Sequence, residues 1–142
     1  MSETSLVEAG LHDAKQLMQA GKFVEAENHL LTLLVNAPKQ GDALYMMAVC
    51  QRYQKKYPEA LEILRKLRLL VPDHSRAYQE IGHVYRAMNQ VDAALNAYSQ
   101  ATLINPALEA SFRSQIDILR IIGRSDLAAR LADLERQLQE LQ

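Results

Sequence analysis

The chain has 142 residues, of which 49% are hydrophobic and 23% charged, and its net charge is −1. That suits one soluble globular unit with ample apolar material for a core, and it lacks the basic face that nucleic-acid binding needs. The opening residues carry Glu3, Glu8, His12 and Asp13 and no apolar run, so neither a signal peptide nor a membrane span is expected; the lone Cys50 excludes an intrachain disulfide framework, and a reducing cytoplasm is the expected compartment.

In chain order, the apolar spacing predicts helices throughout and no period-2 alternation of a strand. Helix 1 is predicted from Leu6 to Ala20, with Ser5 and Glu8 as a capping box and Gly21 as the left-handed residue that ends it. Helix 2 follows over Phe23–Asn36, with Leu30, Leu33 and Leu34 inward, and Pro38 stops it. Helix 3 covers Asp42–Gln54. Lys55 stands where Gly21 and Gly123 stand, at a cost of about 1 kcal/mol if that turn needs positive φ. Helix 4 opens at Pro58 and carries Ala60, Leu61, Ile63, Leu64, Leu67 and Leu70 into the centre of the core. Helix 5 is predicted over Ser75–Met88, capped by Asp73 or Ser75, with Asn89 in the turn. Helices 6 and 7 cover Val91–Ile104 and Ala107–Ile122, and helix 8 runs from near Ser125 towards the C-terminus.

Two residue series share one period. Ala26, Ala60, Ala94 and Ala128 are 34 residues apart, as are Pro38, Pro72 and Pro106. An ungapped period in two residue types marks an internal repeat. Four frames fit, 7–40, 41–74, 75–108 and 109–142, each two helices with a short break, in a single domain over 1–142. The fold class is all-α with eight helices.

These frames resemble the tetratricopeptide repeat (TPR). The third fits best, with Tyr78, Ile81, Gly82, Tyr85, Ala94, Tyr98, Ala101 and Pro106. The second has Leu44, Met47, Ala48, Tyr57, Ala60, Leu64, Leu67 and Pro72. The first is weaker, with Gly10 and Asp13 in place of large apolar residues. The fourth keeps Phe112, Leu119, Gly123 and Ala128, then departs at Glu135 and Glu140, where a small apolar residue and the proline belong. The resemblance implies a right-handed TPR superhelix of helix-turn-helix repeats. Its first helices would line a concave groove that binds a protein or peptide segment, without catalysis. The stretches AVCQRY, IGHVYRAMNQ and NPALEASFRS also resemble the N-terminal arrays of bacterial TPR proteins that continue into a sulfotransferase domain. That implies an alternative role, a docking or regulatory part of a larger enzyme.

No chemistry-bearing constellation competes. His12, His29, His74 and His83 include no i, i+4 pair for zinc, and no phosphate-binding loop or nucleophile elbow occurs; no cofactor is expected. His83 reads as a general base or as a hydrogen-bonded histidine, and Cys50, equivalent to Val84 and Ile118, as a small buried hydrophobe.

Candidate groove residues come from the period. Arg52, Arg86 and Arg120 recur near the ends of helices 3, 5 and 7. At helix-packing distances of roughly 10 Å they form a column suited to the carboxylates of an acidic segment; the alternative is that they complement helix dipoles. Asp117, beside Arg113 and Arg120, would neutralise part of the column. Tyr45, Val49 and Tyr53 share one side of helix 3 at i, i+4, i+8, as a binding hot spot or as packing. The clamp that TPR co-chaperones use for the acidic tail of heat-shock chaperones is not expected, because its positions hold Leu11, Lys15, Met46, Arg76 and Glu80. Finally, Leu127, Leu131, Leu134, Leu138 and Leu141 form a heptad seam. With Leu134 on the outer face, this seam is expected to pair two chains as a homodimer or to dock a further part of the protein.

Overall fold

The computed structural model describes residues 2–123 and 128–142, and the regular structure among them is entirely helical. Eight helices follow among the described residues: α1 Glu3–Gln19, α2 Phe23–Asn36, α3 Gly41–Tyr53, α4 Tyr57–Leu70, α5 Ser75–Ala87, α6 Val91–Ile104, α7 Glu109–Ile122 and α8 Ala128–Leu141. They fall into two compact units, residues 1–72 with α1–α4 and residues 73–142 with α5–α8.

Two alternating turns set the repeat. The turn between the first and second helix of each frame is left-handed, with φ of 76° at Gly21, 63° at Lys55, 62° at Asn89 and 62° at Gly123. In three of them the same pair of backbone bonds closes the helix end. Lys22, Lys56 and Gln90 donate to Leu17, Gln51 and Tyr85, and the residue before each donates to Met18, Arg52 and Arg86. This doubly bonded ending orients the next helix back along the first. The other turn follows Ala37, Val71 and Asn105, where Pro38, Pro72 and Pro106 deny continuation.

Some caps differ from expectation. α1 begins earlier, at Glu3, because Ser2 Oγ accepts from the backbone of Ser5 at 3.1 Å; Ser5 and Glu8 make no capping box. α3 is capped by Gln40 Oε1, 2.8 Å from the Asp42 nitrogen. α5 is capped by His74 Nδ1, 3.1 Å from the Ala77 nitrogen, rather than by Asp73 or Ser75. Any short acceptor at the right offset satisfies an orphan N–H.

The unit of residues 1–72 packs Ala14, Ala26, Leu30, Ala43, Met47 and Cys50 together. Ala60, Leu64 and Leu67 of α4 are fully buried, but Leu70, expected in the core, is exposed: the packed face of α4 ends with Leu67. In residues 73–142, Tyr98 fills the space that Gly82 leaves. A Cβ on Gly82 would lie 2.6 Å from the Tyr98 ring. A second cluster joins Phe112, Ile116 and Leu119 of α7 to Leu134, flanked by Leu131 and Leu138.

That last cluster corrects the reading of the tail. Leu134 is not on an outer face; its exposure is 0%. Ala128 and Ala132 are exposed, whereas the equivalent Ala94 and Tyr98 of α6 are buried. α8 is therefore turned about its axis by one residue position, on the order of 100°. The cause is Glu135. It stands where α6 buries Ala101, and a carboxylate is not buried without partners. Turning the helix places Leu134 inside and brings Glu135 to the side of α7, where it pairs with Arg120 at 2.9 Å. Leu141 is exposed, and Leu127 lies outside the described residues.

Candidate functional site

In residues 1–72, α1 and α3 leave a cavity of about 600 Å³ between them. Helix periodicity presents Tyr45, Val49 and Tyr53 on one side of α3, while Ala43, Met47 and Cys50 point into the core. α1 contributes Leu11, His12, Lys15, Met18 and Gln19 to the facing wall; Phe23 closes one end, and Asp42 and Met46 complete the lining. The Phe23 and Tyr53 rings are stacked, with centroids 4.4 Å apart and planes 1° from parallel. The Arg52 guanidinium sits 4.6 Å from the Tyr53 centroid, so its charge is held over an aromatic face.

The end wall is anchored by a buried polar cluster. Glu27 of α2 accepts from Gln51 at 3.1 Å, Gln54 at 3.0 Å and Lys56 at 3.0 Å. Gln54 Nε2 also donates to the Phe23 carbonyl at 3.5 Å, linking the cluster to the aromatic stack. Burial acts to raise the Glu27 pKa, but the hydrogen bonds from Lys56, Gln54 and Gln51 and the Lys56 charge outweigh it, and the carboxyl is held below its ordinary value. Cys50, beside this cluster, is pushed the other way, up to about 12, by burial and then by the Glu27 charge. A thiol so protonated is inert.

The remaining predicted residues lie in residues 73–142. His83 Nδ1 is 2.6 Å from the Tyr98 hydroxyl, and the two rings meet edge to face. Burial raises the pKa of that hydroxyl; bonds from Ser114 and Arg86 and the Arg86 charge oppose the rise, and Glu80 adds to it. His83 and Arg86 are thus drawn to a buried tyrosine. Arg113, Asp117 and Arg120 line one cavity of about 270 Å³ on α7, but Glu135, Leu138 and Gln139 of α8 form its other wall. Arg113 is paired with Glu109, and Arg120 with Glu135. Arg120, one of the three arginines expected to receive a ligand's carboxylates, therefore holds a carboxylate of its own chain, and so does its neighbour Arg113. Among the described residues there is no group of three metal-ligating side chains, and no helix is long and apolar enough to cross a membrane.

The sequence reading found the α3 wall and missed α1. The signal was available: subtracting the period of 34 from Tyr45, Val49, Arg52 and Tyr53 gives Leu11, Lys15, Met18 and Gln19, all of which line the cavity. Glu27 was legible too, as a carboxylate where the later frames hold Leu61 and Leu95.

Comparison with known proteins agrees with this architecture. The structure is similar to that of MamA, with a TM-score of 0.82 and 23% identity over 94% of this chain and 78% of that one. It is also similar to part of a mutant of the Thermobaculum terrenum O-GlcNAc transferase, with a TM-score of 0.79 and 20% identity over 84% of this chain and 23% of that one. The first TPR of Spaghetti (RPAP3), solved with the HSP90 peptide SRMEEVD, gives a TM-score of 0.76 at 15% identity over 83% of this chain and 94% of that one. At these identities the likeness is one of fold. No curated protein matches the sequence. The tetratricopeptide repeat family model matches residues 17–81 and again 51–114, more than half of the chain. With the 34-residue period, the left-handed turns and the paired helices, that match makes the chain a member of the tetratricopeptide repeat family.

Proposed function

We propose that the chain is a non-catalytic interaction module that binds a protein segment between α1 and α3. The observation that carries this is the 600 Å³ cavity, lined mainly by aromatic and aliphatic side chains and ending on the stacked Phe23–Tyr53 pair. An apolar cavity with a few polar groups suits the side chain of a docked segment, and an exposed tyrosine such as Tyr53 beside an arginine is characteristic of binding hot spots. The peptide seen on the RPAP3 domain supports a peptide as the class of ligand. It does not carry over as the ligand itself, since Leu11 and Met46 are apolar walls here and Glu80 is buried.

A second reading keeps the same groove and places it in a larger enzyme, such as a sulfotransferase, as its docking part. The fold likeness to part of an O-GlcNAc transferase supports it. Both readings meet one test. Peptides selected from a random displayed library on the purified chain should lose binding to Val49→Glu, while the helical circular dichroism of the variant stays unchanged. Selected peptides that bind Val49→Glu as well as the unmutated chain would overturn the groove reading.

A further inference from the structure

The groove continues past its apolar part. A second cavity of about 360 Å³ runs on towards the starts of α1 and α3, sharing Leu11 and Asp42 with the first. Val7 and Leu11 extend the apolar floor, and the rim holds Glu3, Glu8 and Asp42. Among the described residues no lysine, arginine or histidine lines this end; the lysine of the groove, Lys15, lies in the larger cavity. Glu3 and Asp42 sit in the first turns of their helices, where a carboxylate complements the macrodipole. Glu8 lies beyond that turn and has no such reason to be there. The three carboxylates are exposed, and a cation docked among them is attracted to all three at once.

Resting on the groove reading above, we infer that the bound segment carries lysine or arginine beside its apolar anchor, with the anchor in the cavity of Tyr45, Val49 and Tyr53 and the cation at the rim of Glu3, Glu8 and Asp42. This reverses the charge that the arginine series suggested. Arg120 of that series already pairs with Glu135, whereas the acidic rim continues directly from the apolar cavity.

The test uses the full chain and three fluorescent peptides with one shared core of leucine, phenylalanine and methionine. The core is flanked at both ends by two lysines, two serines or two glutamates. The lysine peptide is expected to bind about tenfold tighter than the serine peptide, as two or three exposed charge pairs allow, and the glutamate peptide weakest. The lysine advantage should shrink at high salt and fall in the double variant Glu3→Gln, Glu8→Gln, whose two positions line only the smaller cavity and which keeps its affinity for the serine peptide. Equal affinity for lysine and serine peptides, or tightest binding of the glutamate peptide, overturns this inference and leaves the groove reading standing. Binding of none of the three, or of all three equally by Val49→Glu, overturns the groove reading and this inference with it.

Discussion

Gly82 and Tyr98 show how one residue sets a helix distance. Tyr98 is completely buried, and a methyl on Gly82 would stand 2.6 Å from its ring. The ring is held by its bond to His83, so it cannot swing clear cheaply. Gly82→Ala should therefore destabilise by about 1–3 kcal/mol despite the better helix propensity of alanine, read as a lower urea midpoint. Cys50 makes a second residue-scale case. It is fully buried and its pKa is pushed up to about 12, by burial first and then by Glu27. Iodoacetamide at pH 8 should leave the folded chain unlabelled and label it once urea unfolds it. Rapid labelling without denaturant would show that the α3 core opens.

At the scale of the element, the left-handed turns and the last helix carry most of the information. Lys55 holds φ of 63° at a position where α1 and α7 are followed by glycine. Relief of the αL strain, about 1–2 kcal/mol, exceeds the entropy cost of glycine, about 0.5–1 kcal/mol, so Lys55→Gly should raise stability by roughly 0.5–1 kcal/mol. A fall in the urea midpoint would show that the Lys55 side chain makes a compensating contact. α8 is held by Leu134 between Phe112, Ile116 and Leu119. Leu134→Ala should cost about 2–5 kcal/mol of packing there. It should do so with Ala128→Leu nearly neutral, because Ala128 faces solvent. The opposite order of effects would restore the unrotated helix that the repeat frame implies.

For the molecule as a whole, acid stability reports on the cluster that joins α2 to α3 and α4. The Glu27 carboxyl is held below its ordinary 4.5 in the folded chain. Its contribution to stability is fully present above the unfolded value and is lost as the pH falls through the folded one. Glu27→Gln should therefore lower the denaturation midpoint at pH 7, and the gap to the unmutated chain should close below about pH 4.5. A gap that stays constant down to pH 3 would mean that shape rather than charge makes the cluster.

The repeat was fully legible in the chain. The 34-residue spacing of alanines and prolines predicts the number of helices, their order and their turns, because one packing unit copied along the chain needs the same small and apolar residues each time. Lys55 and Asn89 could be recognised as left-handed from the glycines at their equivalents. The α3 wall of the groove was legible from i, i+4 spacing, which a helix converts directly into one face. What the tertiary structure alone decided is which face each helix turns to its neighbours. The period places Leu134 outside and Ala128 inside. Glu135 makes that orientation costly, and the helix rotates to bury leucine instead of a carboxylate. Charge pairing was equally hidden. Arg120 reads like Arg52 and Arg86 in the repeat, yet it meets Glu135 only because α8 has turned. A local period fixes spacing along one helix; burial and pairing depend on what lies across from it, and those partners come from distant sequence.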